Sequence, residues 1–150
     1  MLTNIKNITL SKILNEVFYF TIAFIISLVC LTYILKFPLH LTGAKAIYEE
    51  YYITNYMTNV PLDYFFVFVY FLIAGLVMRF LNLKDDLSKI ITVAGVTILI
   101  TGFFWLYFTS KKKSNQFFSR WFHTVGYKSV VYDVILLVTI YALFLIFLKL

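Results

Sequence analysis

The sequence predicts an all-α integral membrane protein, a bundle of four helices that cross the bilayer. Hydrophobic residues make up 62% of the chain, and its mean hydropathy is +0.89. Only 13% of the residues are charged, which is too few to cover a water-facing surface. The apolar residues are gathered in four runs, each close to the roughly 20 residues that a helix needs to span hydrocarbon. A chain of 150 residues is expected to form one domain.

The four predicted spans are Val17–Leu35, Leu62–Leu81, Ile90–Phe108 and Val130–Leu148. Each is apolar on every face, as a lipid-surrounded helix must be, whereas a surface helix would be amphipathic. An open sheet is excluded because its unpaired backbone groups are too costly in hydrocarbon. The first run is too long for the core of a signal peptide and lacks a small-residue cleavage site after it. We therefore predict that it is a permanent anchor.

The connectors differ in length. The short turn Asn82–Lys89 carries Asp86, which is predicted to cap the third helix. Each longer connector has aromatic residues at helical spacing, roughly over residues 45–57 and 115–126, which predicts amphipathic helices in the membrane interface. An irregular loop with aromatic contacts is the alternative. The rings expected at lipid headgroups are those of Tyr48, Tyr51, Tyr52, Phe118, Trp121 and Phe122.

A shift of 70 residues aligns landmarks of the two halves. Tyr51 meets Trp121, and Asp63 meets Asp133 near the start of each even-numbered span. Few aligned positions are identical, so the prediction of a tandem repeat depends on residue kind at equivalent places. Each half would be span, interfacial helix, span, with the halves related by an axis along the membrane normal. Both aspartates would then lie on one side of the membrane.

Asp63 and Asp133 are the leading candidate functional residues, because an acid inside a span is usually functional. Helix-start and packing roles are the preferred interpretation, since Pro61 and Ser129 are typical of first-turn and capping positions. A binding or conduction role and contact with lipid headgroups are the alternatives. Neither span holds another acid or a histidine deeper in, so no proton or ion relay is visible. Tyr70 and Tyr141 are further candidate functional residues.

The formal net charge of +6 indicates lipid headgroups, not nucleic acid, because the basic residues flank apolar runs. Lys111, Lys112 and Lys113 are expected at the lipid interface. Counted with this cluster, the basic residues number six on the side of the termini and seven on the other side, so only the clustering itself favours placing the long connectors in the cytosol. The lone cysteine, Cys30, excludes an internal disulfide or a CxxC pair, and we expect it to be a small buried side chain.

No sequence motif indicates catalysis or a cofactor. The chain has no HExxH, no GxSxG and no glycine-rich phosphate loop. Its two histidines, His40 and His123, are far apart in sequence and have no cysteine partner, which disfavours a metal site. We expect no enzymatic activity, no cofactor and no metal.

The segment Trp121–Leu136 reads WFHTVGYKSVVYDVIL. With its Val-Gly-Tyr step and the Tyr-Asp pair before the last span, it resembles a segment of small, uncharacterised multi-span membrane proteins of nucleocytoplasmic large DNA viruses. The stretch Asn59–Asp63 is similar in style, and the composition rich in Lys, Asn, Ile and Phe suits an AT-rich viral genome. The resemblance implies a virion or virus-induced membrane as the location, and it implies no activity.

The preferred interpretation is a non-enzymatic structural or assembly role in a viral or virus-induced membrane. The alternative is a small oligomeric channel or transporter that uses Asp63 and Asp133. Expected partners are the lipid bilayer, other membrane or capsid proteins, or further copies of the chain. The expected location is a virion inner membrane or a host endomembrane. A wet cavity lined by polar groups would favour the alternative, whereas a dry interior filled with Phe and Leu would favour the structural role.

Overall fold

The computed structural model describes residues 10–150, which form helices without any strand. Four helices are long and apolar enough to cross a membrane: α1 (Leu10–Ile34), α4 (Tyr56–Phe80), α5 (Asp86–Thr109) and α7 (Lys128–Phe147). Three short helices occupy the long connectors: α2 (Phe37–Thr42), α3 (Lys45–Tyr48, continued by the π-helical turn Glu49–Thr54) and α6 (Phe117–Val125). The prediction of an all-α protein with four spans is confirmed.

All four spans begin earlier than predicted, the first at Leu10 and the third at Asp86. Helix α4 begins at Tyr56, so Pro61 lies inside it, where it forfeits only the hydrogen bond to the carbonyl of Met57 in an exposed first turn. Helix α7 begins at Lys128, and the hydroxyl of Ser129 donates to the Gly126 carbonyl (2.7 Å) instead of capping the helix. Both aspartates therefore lie past the first turn, where backbone amides already have helical partners. The helix-start interpretation of the two aspartates is wrong.

In the turn between α4 and α5, the residue that caps α5 is Asp85 and not the predicted Asp86. The carboxylate of Asp85 accepts a hydrogen bond from the Ser88 amide (2.8 Å), so Asp85 is the cap residue and Asp86 the first helical residue. Backbone hydrogen bonds of this exposed site lower the pKa of Asp85. Asp86 instead pairs with Lys149. This contact places the end of the chain beside the start of α5, as four crossings require.

The four spans form a ring in which α7 packs against α1 and α5, and α4 packs against α5. Helix α4 closes the ring onto α1 through Tyr64, whose ring centroid lies 5.1 Å from that of Phe20. The hydroxyl of Tyr64 also bonds to that of Thr21 (2.9 Å). Helices α4 and α7 therefore occupy opposite corners, from which their side chains meet at the centre.

Helices α3 and α6 close one end of the bundle with buried aromatic rings. Five of the rings expected at the lipid headgroups are packed inside protein: Tyr48, Tyr51, Tyr52, Trp121 and Phe122. The expectation of a lipid-facing position is wrong for these five. Phe118 is half-buried, with its ring centroid 6.3 Å from that of Phe108. Aromatic periodicity marks one apolar face of a helix, and it does not tell whether lipid or protein covers that face.

Helices α3 and α6 also contact each other. Arg120 donates to both carboxylate oxygens of Glu50, with 2.9 Å between Nη1 and Oε2. The rings of Tyr51 and Trp121 lie 5.8 Å apart. Each pair joins residues offset by 70 positions, and contacts between equivalent residues are what an internal two-fold axis produces at its centre. The tandem repeat itself stays a prediction, and the halves differ because α2 belongs to the first connector.

Candidate functional site

Asp63 and Asp133 line a single cavity of about 260 Å³ inside the bundle. Asp63 projects from α4 and Asp133 from α7, at the end of the bundle that α3 and α6 cover. The structure thus brings together the two acids that the sequence singled out. Because α4 and α7 stand at opposite corners of the ring, the two carboxylates approach the cavity from different sides.

Asp63 is held by a tyrosine of the covering helix. The hydroxyl of Tyr51 donates to Oδ1 of Asp63 at 2.5 Å. The other carboxylate oxygen, Oδ2, is buried and has no hydrogen-bond partner among the residues that the structure describes. Burial, and then the nearby Asp63 carboxyl, raise the pKa of Tyr51, so its hydroxyl stays protonated as a donor. One oxygen of Asp63 therefore remains available to a ligand.

Asp133 is held by a chain of hydroxyl groups that begins on α4. The hydroxyl of Thr101 on α5 donates to Oδ2 of Asp133 (2.8 Å). Because Thr101 has one proton to donate, the hydroxyl of Tyr70 donates to it in turn (2.8 Å). These two bonds link α4, α5 and α7. Of the two candidate tyrosines, Tyr70 lines the cavity, whereas Tyr141 donates to the sulfur of Met78 (3.4 Å) elsewhere in the core.

A second hydroxyl network links the covering helix α3 to α1 and α7. The Tyr132 hydroxyl bonds to that of Thr32 (2.8 Å) and accepts from Tyr52 (3.2 Å). The hydroxyl of Tyr48 donates to the Thr32 carbonyl (2.7 Å). Thr32 lies in the π-helical turn that ends α1, and Tyr52 in the one that ends α3. Such turns often occur at functional sites, and here they direct both side chains into the same buried network.

The rest of the cavity wall is mainly aromatic, and its lining residues include no Lys, Arg or His. The wall residues Phe66 and Phe104 also reach the outer surface of α4 and α5, where 38% and 40% of their area is exposed. The remaining aromatic lining is Phe108, Phe117, Phe118, Trp121, Phe122, Tyr51, Tyr52, Tyr70 and Tyr132. Two carboxylates thus share a mainly aromatic chamber, and the part of the chain that the structure describes places no basic side chain in its wall.

Several site residues could not be identified from the sequence. Thr101 carries no sequence signal of a site residue, yet its hydroxyl holds Asp133. Tyr51 and Trp121 were assigned to the lipid interface, yet they line the cavity. The only available signal was their aromatic periodicity, which indicated a buried face without its partner. Lys111, Lys112 and Lys113 are exposed, as a headgroup-facing position requires.

Cys30 is exposed on α1, contrary to the expected burial. Within residues 10–150, the structure brings no three His, Cys, Asp or Glu side chains close enough to hold a metal ion. Comparison with protein families, curated proteins and solved structures finds no match to this chain.

Proposed function

We propose that this protein is a membrane-embedded cation-binding protein of the channel or transporter class, with Asp63 and Asp133 as its binding residues. The observation that carries the proposal is the pair of acids in a mainly aromatic cavity to which residues 10–150 contribute no basic side chain. A carboxylate that stays ionised when buried is costly unless an opposite charge or full hydrogen bonding compensates it. The second oxygen of Asp63 has neither among the described residues. A positively charged ligand would supply both.

A channel or transporter is the alternative function that the sequence suggested, and it replaces the structural role as the preferred interpretation. The wall is mainly aromatic, as the structural role expected, but it also holds two carboxylates and several tyrosine hydroxyls, which a purely apolar interior would lack. Binding and release of a cation need no bond to be made or broken, so the proposal keeps the expectation of a non-enzymatic protein. For location we propose a virion or virus-induced membrane, which the sequence resemblance supports. The test is the abundance of the protein in purified virions.

The experiment compares three substitutions in purified protein. Asp63→Asn and Asp133→Asn remove one charge each from the cavity, and Asp85→Asn removes an exposed charge while keeping a capping side chain. Thermal unfolding is recorded with sodium, potassium, calcium or tetramethylammonium chloride at equal ionic strength. A ligand that binds only the folded state raises stability by about 2.7 kcal/mol at a concentration one hundred times its Kd.

We expect at least one of these cations to stabilise the parent and Asp85→Asn, and to lose this effect in both cavity variants. Without cation, Asp63→Asn should be at least as stable as the parent, because an uncompensated buried charge has been removed. Liposomes carrying the parent should pass the active cation, and those carrying Asp63→Asn should not. If the cations stabilise the parent and all three variants equally, or stabilise none of them, the cation-binding proposal is wrong and the structural role becomes the preferred interpretation.

A further inference from the structure

The wall of the cavity restricts which cation fits. Asp63 Oδ1 and Asp133 Oδ2 each already accept a hydrogen bond from a hydroxyl group of the protein. The buried oxygen without a partner is Asp63 Oδ2. Most of the remaining wall consists of aromatic rings, whose faces carry partial negative charge but no lone pairs for coordination. Among the described residues, the site therefore offers two carboxylates and a few hydroxyl groups within a large aromatic surface.

Such a wall is a poor set of ligands for hard metal ions. Calcium takes about six to eight oxygen ligands, and magnesium demands a near-octahedral set. The described residues gather no third acidic, histidine or cysteine ligand beside Asp63 and Asp133. A bare ion in this chamber would exchange most of its hydration shell for ring faces. The wall thus argues against an ion that needs to be surrounded by oxygens.

An ammonium group that carries alkyl substituents matches both the carboxylates and the aromatic rings of the wall. Its charge is attracted by carboxylates and by the faces of Trp, Tyr and Phe, and its alkyl groups are buried against the same rings. Aromatic faces that can serve this purpose include those of Phe66, Phe117 and Trp121. The cavity of about 260 Å³ is smaller than the roughly 300–1,000 Å³ of pockets for drug-sized molecules, so the cation must be compact.

We propose that the cavity binds a compact organic cation, an alkylated ammonium group, between Asp63 and Asp133. The ligand class rests on the cation-binding function proposed above and adds the substrate chemistry to it. This chemistry has two sources, a free molecule in water or the headgroup of a membrane lipid. The second source is accessible because the wall residues Phe66 and Phe104 reach the lipid-facing surface of the bundle.

The test uses Trp121, which lies in the cavity wall, as the reporter. Because the chain has two tryptophans, Trp105→Phe leaves Trp121 as the sole source of tryptophan fluorescence. This protein is reconstituted in phosphatidylglycerol vesicles, and its emission is titrated with tetramethylammonium, potassium or calcium chloride at constant ionic strength. We expect a saturable change with tetramethylammonium, and an apparent Kd about tenfold or more weaker in Asp63→Asn and Asp133→Asn.

Two other results separate failure of the ligand class from failure of the function. If potassium or calcium gives the saturable, aspartate-dependent change and tetramethylammonium gives none, the ligand class is overturned and the cation-binding function survives. If tetramethylammonium binds equally well to the parent and to both aspartate variants, the ligand class and the function are both overturned. The same holds if no cation changes the emission of Trp121.

A ring substitution tests the aromatic contribution without touching the aspartates. Phe66→Leu removes an aromatic face from a partly exposed wall position, where folding should tolerate the change. Its neighbour Phe65 points away from the cavity and is 59% exposed, which makes Phe65→Leu the matched control. We expect Phe66→Leu to weaken tetramethylammonium binding about fivefold and Phe65→Leu to leave it unchanged. Equal affinity in both variants would overturn the aromatic selection of the ligand.

The lipid composition of the vesicles identifies the source of the ligand. Phosphatidylcholine carries a trimethylammonium headgroup, and phosphatidylglycerol carries none. If the headgroup is the ligand, vesicles of phosphatidylcholine should weaken the apparent affinity for added tetramethylammonium through competition. If a free molecule is the ligand, choline should compete with tetramethylammonium in vesicles of either composition while phosphatidylcholine does not. Each result supports the ammonium chemistry, whereas competition by neither choline nor phosphatidylcholine contradicts it.

Discussion

Arg120 on α6 donates two hydrogen bonds to the carboxylate of Glu50 on α3, which joins the two helices that cover the cavity. Both side chains are about one-third exposed, with relative areas of 35% and 32%. Hydrogen bonding to Glu50 raises the pKa of Arg120, so its guanidinium remains charged wherever the carboxylate is charged. The two-point geometry fixes the covering helices relative to each other more strongly than a single contact between exposed charges would.

We expect a favourable coupling between Arg120 and Glu50 in a double-mutant cycle of unfolding free energies. The variants are Arg120→Gln, Glu50→Gln and their combination, unfolded by denaturant in detergent. The control cycle is the exposed pair Lys45–Glu49, which is separated by 3.8 Å and should give no coupling above error. Equal coupling in the two cycles would show that the two-point geometry adds nothing.

Tyr51→Phe should destabilise the protein by about 1–3 kcal/mol, because it removes the only hydroxyl that donates to the buried Asp63 carboxylate among described residues. Adding Asp63→Asn in the same chain should recover part of this loss, since the unpaired charge is then gone. Tyr56→Phe is the control, because Tyr56 is exposed. Thermal unfolding of the four proteins measures these effects, and a Tyr51→Phe variant as stable as Tyr56→Phe would contradict the role of the bond.

Alkaline pH should destabilise the fold through the buried tyrosines of α3. Burial raises the pKa of Tyr51 and of Tyr52 above the ordinary value of 10.0. Above pH 10 the unfolded chain releases these protons while the folded chain retains them, so stability is full below that pH and falls as pH rises. The slope of unfolding free energy against pH should be shallower in Tyr51→Phe and Tyr52→Phe. A slope unchanged from the parent would assign the loss to other groups.

Trp121 should be shielded from both water and lipid. Its side chain is only 9% exposed and lies against the rings of Phe117 and Tyr51. In the Trp105→Phe background we expect weak quenching by aqueous iodide and by brominated lipids of any bromine depth. Strong quenching by headgroup-level bromines would restore the interfacial position that the sequence suggested for this ring.

The topology should place the two long connectors on the side opposite the C-terminus. Single cysteines at the exposed positions Ala46, Lys84, Asn115 and Leu150, in a Cys30→Ser background, report accessibility to a membrane-impermeant thiol reagent. Labelling should group position 46 with 115 and position 84 with 150. Any other grouping means that one of the four helices does not cross the bilayer.

The number of spans and the identity of the two acids were predictable from the sequence because each is a local property. A run of apolar residues as long as the hydrocarbon is thick must be buried in lipid or protein wherever it lies. Likewise, a carboxylate such as Asp63 within such a run is costly unless its surroundings compensate it, which marks it as a functional candidate from the sequence alone. Helix starts were less predictable, since Pro61 is tolerated in an early turn, which extends α4 back to Tyr56.

The sequence by itself determined the membrane class, the four crossings and the presence of Asp63 and Asp133 in the second and fourth spans. Only the tertiary structure decided that both acids face one cavity, that Thr101 and Tyr51 hold them, and that the aromatic faces of α3 and α6 cover protein instead of lipid. The physical reason is that lipid and a protein core are both apolar. A hydrophobic face is stabilised by either, and the choice is made by the shape of the surfaces that the other helices leave open.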